Sequence, residues 1–483
     1  MTPLLCRRRA CVAPTNNHNE PSKSSAMSEM NQLPADLLAW VGQTTDATVT
    51  RCTRHNARRE AWHIEARNAR GESLDYFLRI DRAAAQGHSS RRNLQRETAL
   101  IRALEQHGIP SQRILGWNDS HASALQSWVT GRAELNREPA PRRHAVLLEF
   151  MEILARLHRI GLDELDLPDF ERPVDAADHA LLELAAVENA ELFSPPCTRT
   201  QPLAAFGKRW LINHAPSQVQ ATVLLQGDTG PANFLFDDSG VTALVDWEWG
   251  HYGDPLEDLG NIWVRDFFYP SSDGNLAPYF EHYAAHSGFT LDRDSIRYYR
   301  VHQMVRSVIG LAYLNAQPDW RMPIPLNLGY TAIIDLETCR SIAQARRGDA
   351  PLEHSAVPLL ENGGDNLHTA LALQMEQWVA PQIDDAATAA LTRGHAATLR
   401  YLERRERCGA AFDAEELHGL RGLLGTSIAD LARGRAALIE HIGRLRIEDE
   451  AAVLEHLTRI AANQAALMAP LTTPWQDCRW AAF

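Results

Sequence analysis

Asp228 and Asn233 are separated by four residues in Leu225-Gln226-Gly227-Asp228-Thr229-Gly230-Pro231-Ala232-Asn233-Phe234-Leu235-Phe236, and Asp246 follows in Val245-Asp246-Trp247-Glu248. A carboxylate, a carboxamide at that spacing and a second carboxylate beyond a turn suit phosphoryl transfer. That chemistry depends on positioning and charge neutralisation rather than on covalent work by the protein. Asp228 is expected to orient an acceptor hydroxyl and take its proton. Asn233 and Asp246 are expected to hold Mg2+ against the phosphates of ATP, because hard oxygen donors suit an ion that completes its shell with water and phosphate. The bare Asp-x4-Asn spacing arises often by chance; the hairpin and the later Asp246 give it weight.

The hairpin follows from Asp237-Asp238-Ser239-Gly240, a strong turn signal between two short apolar runs. With Phe236 opposite Val241, Asn233 is predicted near Leu244, so that Asn233 and Asp246 meet at the open end and Asp228 lies just before it. Upstream, strand-like runs at 61–66, 76–80 and 124–129 include one hairpin, turning at 68–72. A helix is predicted over 90–107, with Gly108 as its stop. Leu94, Ile101 and Leu104 share one face of it, and Glu97 falls on that face, an unusual place for a charge. A second helix, 143–159, carries Leu147, Phe150, Met151, Leu154, Leu157 and His158 on one stripe.

The chain has 483 residues, enough for about three domains, and a formal net charge of −13. That charge argues against coating nucleic-acid phosphates, so no nucleic-acid partner is expected. Its seven cysteines (Cys6, Cys11, Cys52, Cys197, Cys339, Cys408 and Cys478) form no C-x-x-C pair and read as reduced thiols of a cytoplasmic protein. No apolar run is long enough to span a bilayer, so no membrane association is expected. Residues 1–30 read as a disordered tail, with Met27 and Met30 as alternative starts. Residues 346–364 read as a linker. Residues 365–483 read as all-helical: Asp365 offers an N-cap, Leu367, Leu371, Met375 and Trp378 follow helical spacing, 413–446 forms a long Ala- and Leu-rich helical stretch, and Val453, Leu457, Ile460 and Leu467 mark another helix.

The run Gly227-Asp228…Pro231-Ala232-Asn233…Val245-Asp246-Trp247-Glu248…Gly253-Asp254-Pro255-Leu256-Glu257-Asp258-Leu259 resembles the signature of the aminoglycoside phosphotransferase and choline kinase family. It is most similar to the branch found as a kinase-like domain on some acyl-CoA dehydrogenases. The resemblance covers about 31–345. It implies an α+β, two-lobed protein-kinase-like fold: a β-rich N-lobe at 31–130, a mainly helical C-lobe at 131–345 carrying the catalytic loop, and then the C-terminal all-α domain. It implies that Arg79 takes the place of the strand lysine that holds the α/β-phosphates, with Glu97 as its helix partner, and that Gln126 to Val129 form the hinge beside adenine. His158 is implied to support the catalytic loop. Asp254-Pro255 reads as an N-cap followed by a proline in the first turn, so Asp254 and Asp258 are expected to be scaffold.

Two positions depart from the pattern. Gln226 stands where the family usually has His, although Gln can still donate a hydrogen bond. The stretch Thr53-Arg54-His55-Asn56-Ala57-Arg58-Arg59-Glu60 lacks the glycines that let backbone approach phosphate. Arg54, Arg58 and Arg59 offer side-chain charge instead, or nucleotide binding is weakened. Two functional readings therefore stand. One is an ATP-dependent phosphotransferase acting on a hydroxyl of a small molecule, with a hydroxyacyl-CoA or hydroxy acid implied by the nearest branch. The other is a weak or inactive kinase-like module that docks to an acyl-CoA dehydrogenase or similar partner, or to a second copy, through the C-terminal helices. Trp263, Tyr269, Tyr279 and Trp320 are open to two readings, acceptor pocket or core.

Overall fold

The computed structural model describes residues 33–55, 59–85, 93–188, 201–316, 318, 320, 322–347, 366–425 and 427–483. The tail at 1–30 with Met27 and Met30, Cys6, Cys11, Cys197, Arg58, the start of the helix predicted at 90, the linker from 348 onward and Asp365 lie outside them. Two compact units form, and they do not follow the order of the chain. One gathers 33–179, 217–299 and 479–483; the other gathers 180–216 and 300–478.

The first unit has a two-lobed, protein-kinase-like fold. Its N-lobe is a five-stranded antiparallel sheet, β1 (Ala47–His55), β2 (Glu60–Asn68), β3 (Ser73–Ile80), β4 (Ile114–Asn118) and β5 (Ser123–Ser127), in the order β1-β2-β3-β5-β4. The turn between β2 and β3 forms because the Asn68 side chain accepts from the Arg70 and Glu72 amides, both at 3.0 Å, while Gly71 takes φ +80°. Helix α1 (Ala35–Thr45) buries Leu37 and Val41 against Cys52, Trp62, Ile64, Leu78, Ile80 and Leu125. Burying each large apolar side chain of this kind contributes roughly 1.5–3 kcal/mol. Helix α2 (Leu94–Glu105) begins where Asn93 accepts from the Arg96 amide at 2.8 Å. It buries Leu94, Leu100, Ile101 and Leu104, and Glu97 with them.

The helical lobe carries α3 (Ala140–His158), α4 (Pro255–Phe268) and α5 (Ala277–Ser287), with strand pairs β6 (Val223–Leu225)·β9 (His251–Gly253) and β7 (Phe234–Asp237)·β8 (Gly240–Leu244). Residues 479–483 belong to this unit. Trp263 donates to the Ala481 carbonyl at 3.0 Å, and the Ala482 amide donates to Gly274 O at 2.8 Å. Trp263 and Tyr279 are core residues, packed against Phe483 and His144 respectively. Trp320 is 87% exposed.

The second unit is helical. Buried Glu450 accepts from Asn213 Nδ2 and His214 Nε2, both at 2.9 Å, with Arg346 at 3.8 Å. That pairing is what a buried carboxylate requires. The C-terminal helices therefore pack with residues from the middle of the chain and not as a bundle of their own. Asn366 caps helix Leu367–Leu373, accepting from the Thr369 amide at 3.0 Å. The helical stretch read over 413–446 is shared by two helices, Ala386–Leu424 and Leu431–Gly443, the first ending at Gly425 at φ +61° and the second starting at the Asp430 cap. Helix Ile324–Arg347 runs two residues into the segment read as linker. Among the described residues no helix is long and apolar enough to cross a membrane, and Cys339 and Cys408 are buried free thiols.

Candidate active site

The loop bearing Asp228 leaves β6 through Gly227, whose φ of +81° and approach to Trp249 exclude a side chain: a Cβ there would lie 2.2 Å from the Trp249 carbonyl oxygen. Asp258, fully buried on α4, fixes the same turn. Its Oδ2 accepts from the Gln226 amide and its Oδ1 from the Gly227 amide, both at 3.0 Å. His158 Nε2 donates to Asp258 at 3.1 Å, and its Nδ1 pairs with the Tyr283 hydroxyl at 2.7 Å. His158 thus reaches the loop through Asp258. Gln226 donates to the Val245 carbonyl at 2.6 Å and ties the loop to the far side of the hairpin. Asp254 caps α4 by accepting from the Leu256 amide at 2.9 Å.

The hairpin differs from the expected register by one residue. Phe236 lies opposite Val241, but the bulge beside it sets Leu235 against Ala243 and Phe234 against Leu244. Asn233 therefore faces Val245, whose amide donates to its carbonyl at 3.1 Å, and not Leu244. This shift sets Asn233 beside the residue before Asp246. Asp246 itself adopts φ 62°, ψ 62°. A left-handed backbone at a non-glycine residue is a strained state typical of functional sites.

Asn233 Nδ2 donates to the Asp228 carbonyl at 2.7 Å and to Asp228 Oδ2 at 2.8 Å. A third residue completes the cluster. Arg265 on α4 donates to Pro231 O at 3.0 Å, to Asp228 Oδ2 at 3.2 Å and to Asn233 Oδ1 at 2.8 Å. Sequence reasoning missed Arg265. The signal was the one that marked Glu97: a charge inside an apolar helical run, here Ile262-Trp263-Val264-Arg265.

Arg79 on β3 pairs with buried Glu97 on α2. Burial lowers the Arg79 pKa, but the charges of Glu97, Asp246 and Glu248 outweigh it and the net shift is upward. Glu97 also accepts from Arg59 at 2.8 Å, and Arg59 lies 3.7 Å from Glu248. Arg59, offered by the sequence as a phosphate contact, is thus engaged by carboxylates at the end of its strand hairpin. Burial, followed by the negative charges of Glu248, Asp228 and Glu97, pushes the Asp246 carboxyl up to about 7, with Arg79 opposing.

A β-sheet lobe with an internal Arg–Glu pair, joined to a helical lobe with an Asp-x4-Asn loop and a following Asp, defines the protein-kinase-like class of phosphoryl-transfer scaffold. The sequence matches the phosphotransferase enzyme family over residues 52–299, about half of the chain, and the chain belongs to that family. Three solved structures give the range of likeness. A Ralstonia eutropha protein proposed to be an aminoglycoside phosphotransferase is 15% identical, with 64% of this chain and 97% of that chain covered and a TM-score of 0.48. The aminoglycoside phosphotransferase APH(3'')-Id of Streptomyces rimosus, in complex with ADP and streptomycin, is 21% identical over 56% of this chain and 99% of its own, with a TM-score of 0.37. The macrolide 2'-phosphotransferase MphH of Brachybacterium faecium, as apoenzyme, is 18% identical over 66% of this chain and 100% of its own, with a TM-score of 0.40. No curated protein matches the chain.

Proposed function

We propose that this phosphotransferase moves the γ-phosphate of ATP to a hydroxyl group of a small molecule. The observation that supports it most is the convergence of Asp228, Asn233 and Asp246, where desolvation and then the neighbouring carboxylates lift Asp246 to about 7. An acid whose charged form is penalised by desolvation and by like charges is a site that a dication relieves. Asn233 and Asp246 are the residues to hold Mg2+, the ion that when bound would neutralise charge on the phosphates. Asn233 Oδ1 already accepts from Arg265, yet a carbonyl oxygen has a second lone pair for a metal.

Asp228 accepts the proton of the acceptor hydroxyl as the new O–P bond forms. The bond between the γ-phosphorus and the bridging oxygen breaks, and ADP leaves with that electron pair. Arg265 and Asn233 hold the Asp228 carboxylate in one orientation. Arg79, set by Glu97, faces the α- and β-phosphates. The nearest family branch makes a hydroxyacyl-CoA or a hydroxy acid the first acceptors to try.

Calorimetric titration with ATP tests the reading, with and without Mg2+, on the wild type and on Asp246→Asn. Mg2+-dependent binding that the substitution abolishes is the expected result. Absence of binding at millimolar ATP would overturn it.

A second reading has its own observation. Leu367 (72%), Trp378 (65%) and Val379 (46%) are exposed apolar residues on the C-terminal helices. Such residues favour a docking role toward an acyl-CoA dehydrogenase, a similar partner or a second copy. Sedimentation of the full chain, alone and with a candidate dehydrogenase, separates these outcomes.

A further inference from the structure

Helices α3 and α5 pack side by side in the helical lobe, joined by His144 to Tyr279 at 3.1 Å and by His158 to Tyr283 at 2.7 Å. On the solvent side of the same pair stand Glu152 of α3 and His282 and His286 of α5. Glu152 Oε1 accepts from His282 Nε2 at 2.9 Å and lies 3.9 Å from His286 Nε2, so a metal entering between them displaces the His282 Nε2 proton to solvent. One ligand atom from each of the three residues falls within 4.8 Å of the other two.

The donor chemistry is specific. His282 and His286 are four apart on one helix, so their rings share a face; the ring centroids are 4.2 Å apart. His286 Nδ1 lies 2.8 Å from the His282 carbonyl oxygen. A carbonyl can only accept, so Nδ1 carries the proton and the Nε2 lone pair of the neutral ring is turned toward Glu152. Fixing the tautomer by a hydrogen bond at the other ring nitrogen is the usual preparation of a metal-binding imidazole. Ligands bound at roughly 2.0–2.2 Å around a tetrahedral ion stand roughly 3.3–3.5 Å apart. The two observed separations bracket that spacing. His286 also lies in the last turn of α5, where the partial negative charge of the helix end favours a cation.

We propose that Glu152, His282 and His286 form a binding site for a divalent transition metal of the zinc type. Two imidazoles and one carboxylate select such an ion over Mg2+, which prefers oxygen alone. The partial exposure of all three side chains leaves an entry path and a coordination position for water. Binding clips α3 to α5 one residue from Tyr283. Tyr283 holds His158, and His158 holds Asp258 beneath the Asp228 loop. The site is separate from the acidic cluster around Asp246 and stands whether or not the chain transfers phosphate.

The test is zinc retention by the full chain, read by equilibrium dialysis and by melting temperature, with millimolar Mg2+ present to occupy the acidic cluster. The wild type and Asp246→Asn are expected to hold one equivalent of Zn2+ at micromolar concentration and to melt higher with zinc than with a chelator. His286→Asn and Glu152→Gln are expected to weaken binding by more than roughly 10–100-fold, the range that removing even a supporting residue costs. Both variants should melt as the wild type does in chelator, because the residues lie at the surface. Cobalt substitution adds a readout independent of stability: visible d–d absorption in the wild type that is absent in His286→Asn. Absence of a retained equivalent in the wild type, retention unchanged in His286→Asn and Glu152→Gln, or loss in Asp246→Asn alone would each overturn the proposal.

Discussion

Arg265 Nη2 donates to Asn233 Oδ1 at 2.8 Å, so the amide oxygen expected to face a metal also faces a guanidinium. The same Arg265 reaches Asp228 at 3.2 Å and thereby links the two ends of the Asp-x4-Asn loop through a helix more than thirty residues further along the chain.

Replacing Arg265 with Lys keeps the charge and loses the fork that contacts three oxygens at once. The expected outcome is a fall in kcat of about 10–100-fold with a smaller change in KM, since misplacement of reacting groups costs about that much. Steady-state kinetics, once an acceptor is known, reads this. A change confined to KM would assign Arg265 to substrate binding instead.

Glu97 is the single buried carboxylate that receives both Arg79 and Arg59. Glu97→Gln leaves two guanidiniums facing a neutral amide. Breaking a buried pair in this way costs about 3–5 kcal/mol. Urea unfolding of the full chain is the measurement, and ATP affinity should fall with stability. A loss below about 1 kcal/mol would mean that Asp246 and Glu248 suffice to hold Arg79.

Asp246 carries a pH signature. Its folded-state value, about 7, is above the ordinary 3.8, so the folded chain holds a proton that the unfolded chain has released. The stability this contributes is whole below 3.8 and is lost as pH rises through about 7. Asp246→Asn should therefore melt higher than the wild type above neutral pH without metal, while losing Mg2+-dependent ATP binding. In the wild type, that binding should weaken as pH falls below about 7. Equal melting of the two proteins across this range would show that Asp246 is already compensated.

Gly227→Ala places a Cβ against the Trp249 carbonyl at a positive φ. The loop must shift or the backbone must strain, a cost of about 1–3 kcal/mol. Asp228 sits on the next residue, so ATP-dependent turnover should fall further than the melting temperature suggests. Calorimetry of unfolding beside single-turnover assays separates the two effects. Unchanged turnover would place the reacting carboxylate elsewhere.

Local sequence marked much of this molecule because the relevant physics was local. The Asn68–Glu72 turn, the Asp254 cap before Pro255 and the hairpin at 237–240 are set by residues within a few positions of one another. Glu97 was legible because a charge on an apolar helical face needs a partner, and Arg79 supplies it.

What resisted reading was set by distance along the chain. The one-residue shift of Asn233 from Leu244 to Val245 comes from a bulge, and the turn signal fixes where the hairpin reverses without fixing where its ladder skips. Asp365 and Asn366 are adjacent polar residues, and choosing between them as the cap takes the backbone geometry of Asn366. Arg59 looked like a free basic side chain until the fold brought Glu97 and Glu248 to it.

By itself, the sequence pointed to Asp228, Asn233 and Asp246 as candidates, because type and spacing along one hairpin carry that information, and its family resemblance pointed to the kinase-like class. Only the tertiary structure decided that Arg265 joins them, that the C-terminal helices pack with 180–216 and 300–347, that residues 479–483 return to the unit holding the site, and that Glu152 meets His282 and His286. Those relationships are made by side chains from segments far apart in sequence, and no periodicity or spacing within either segment encodes the other.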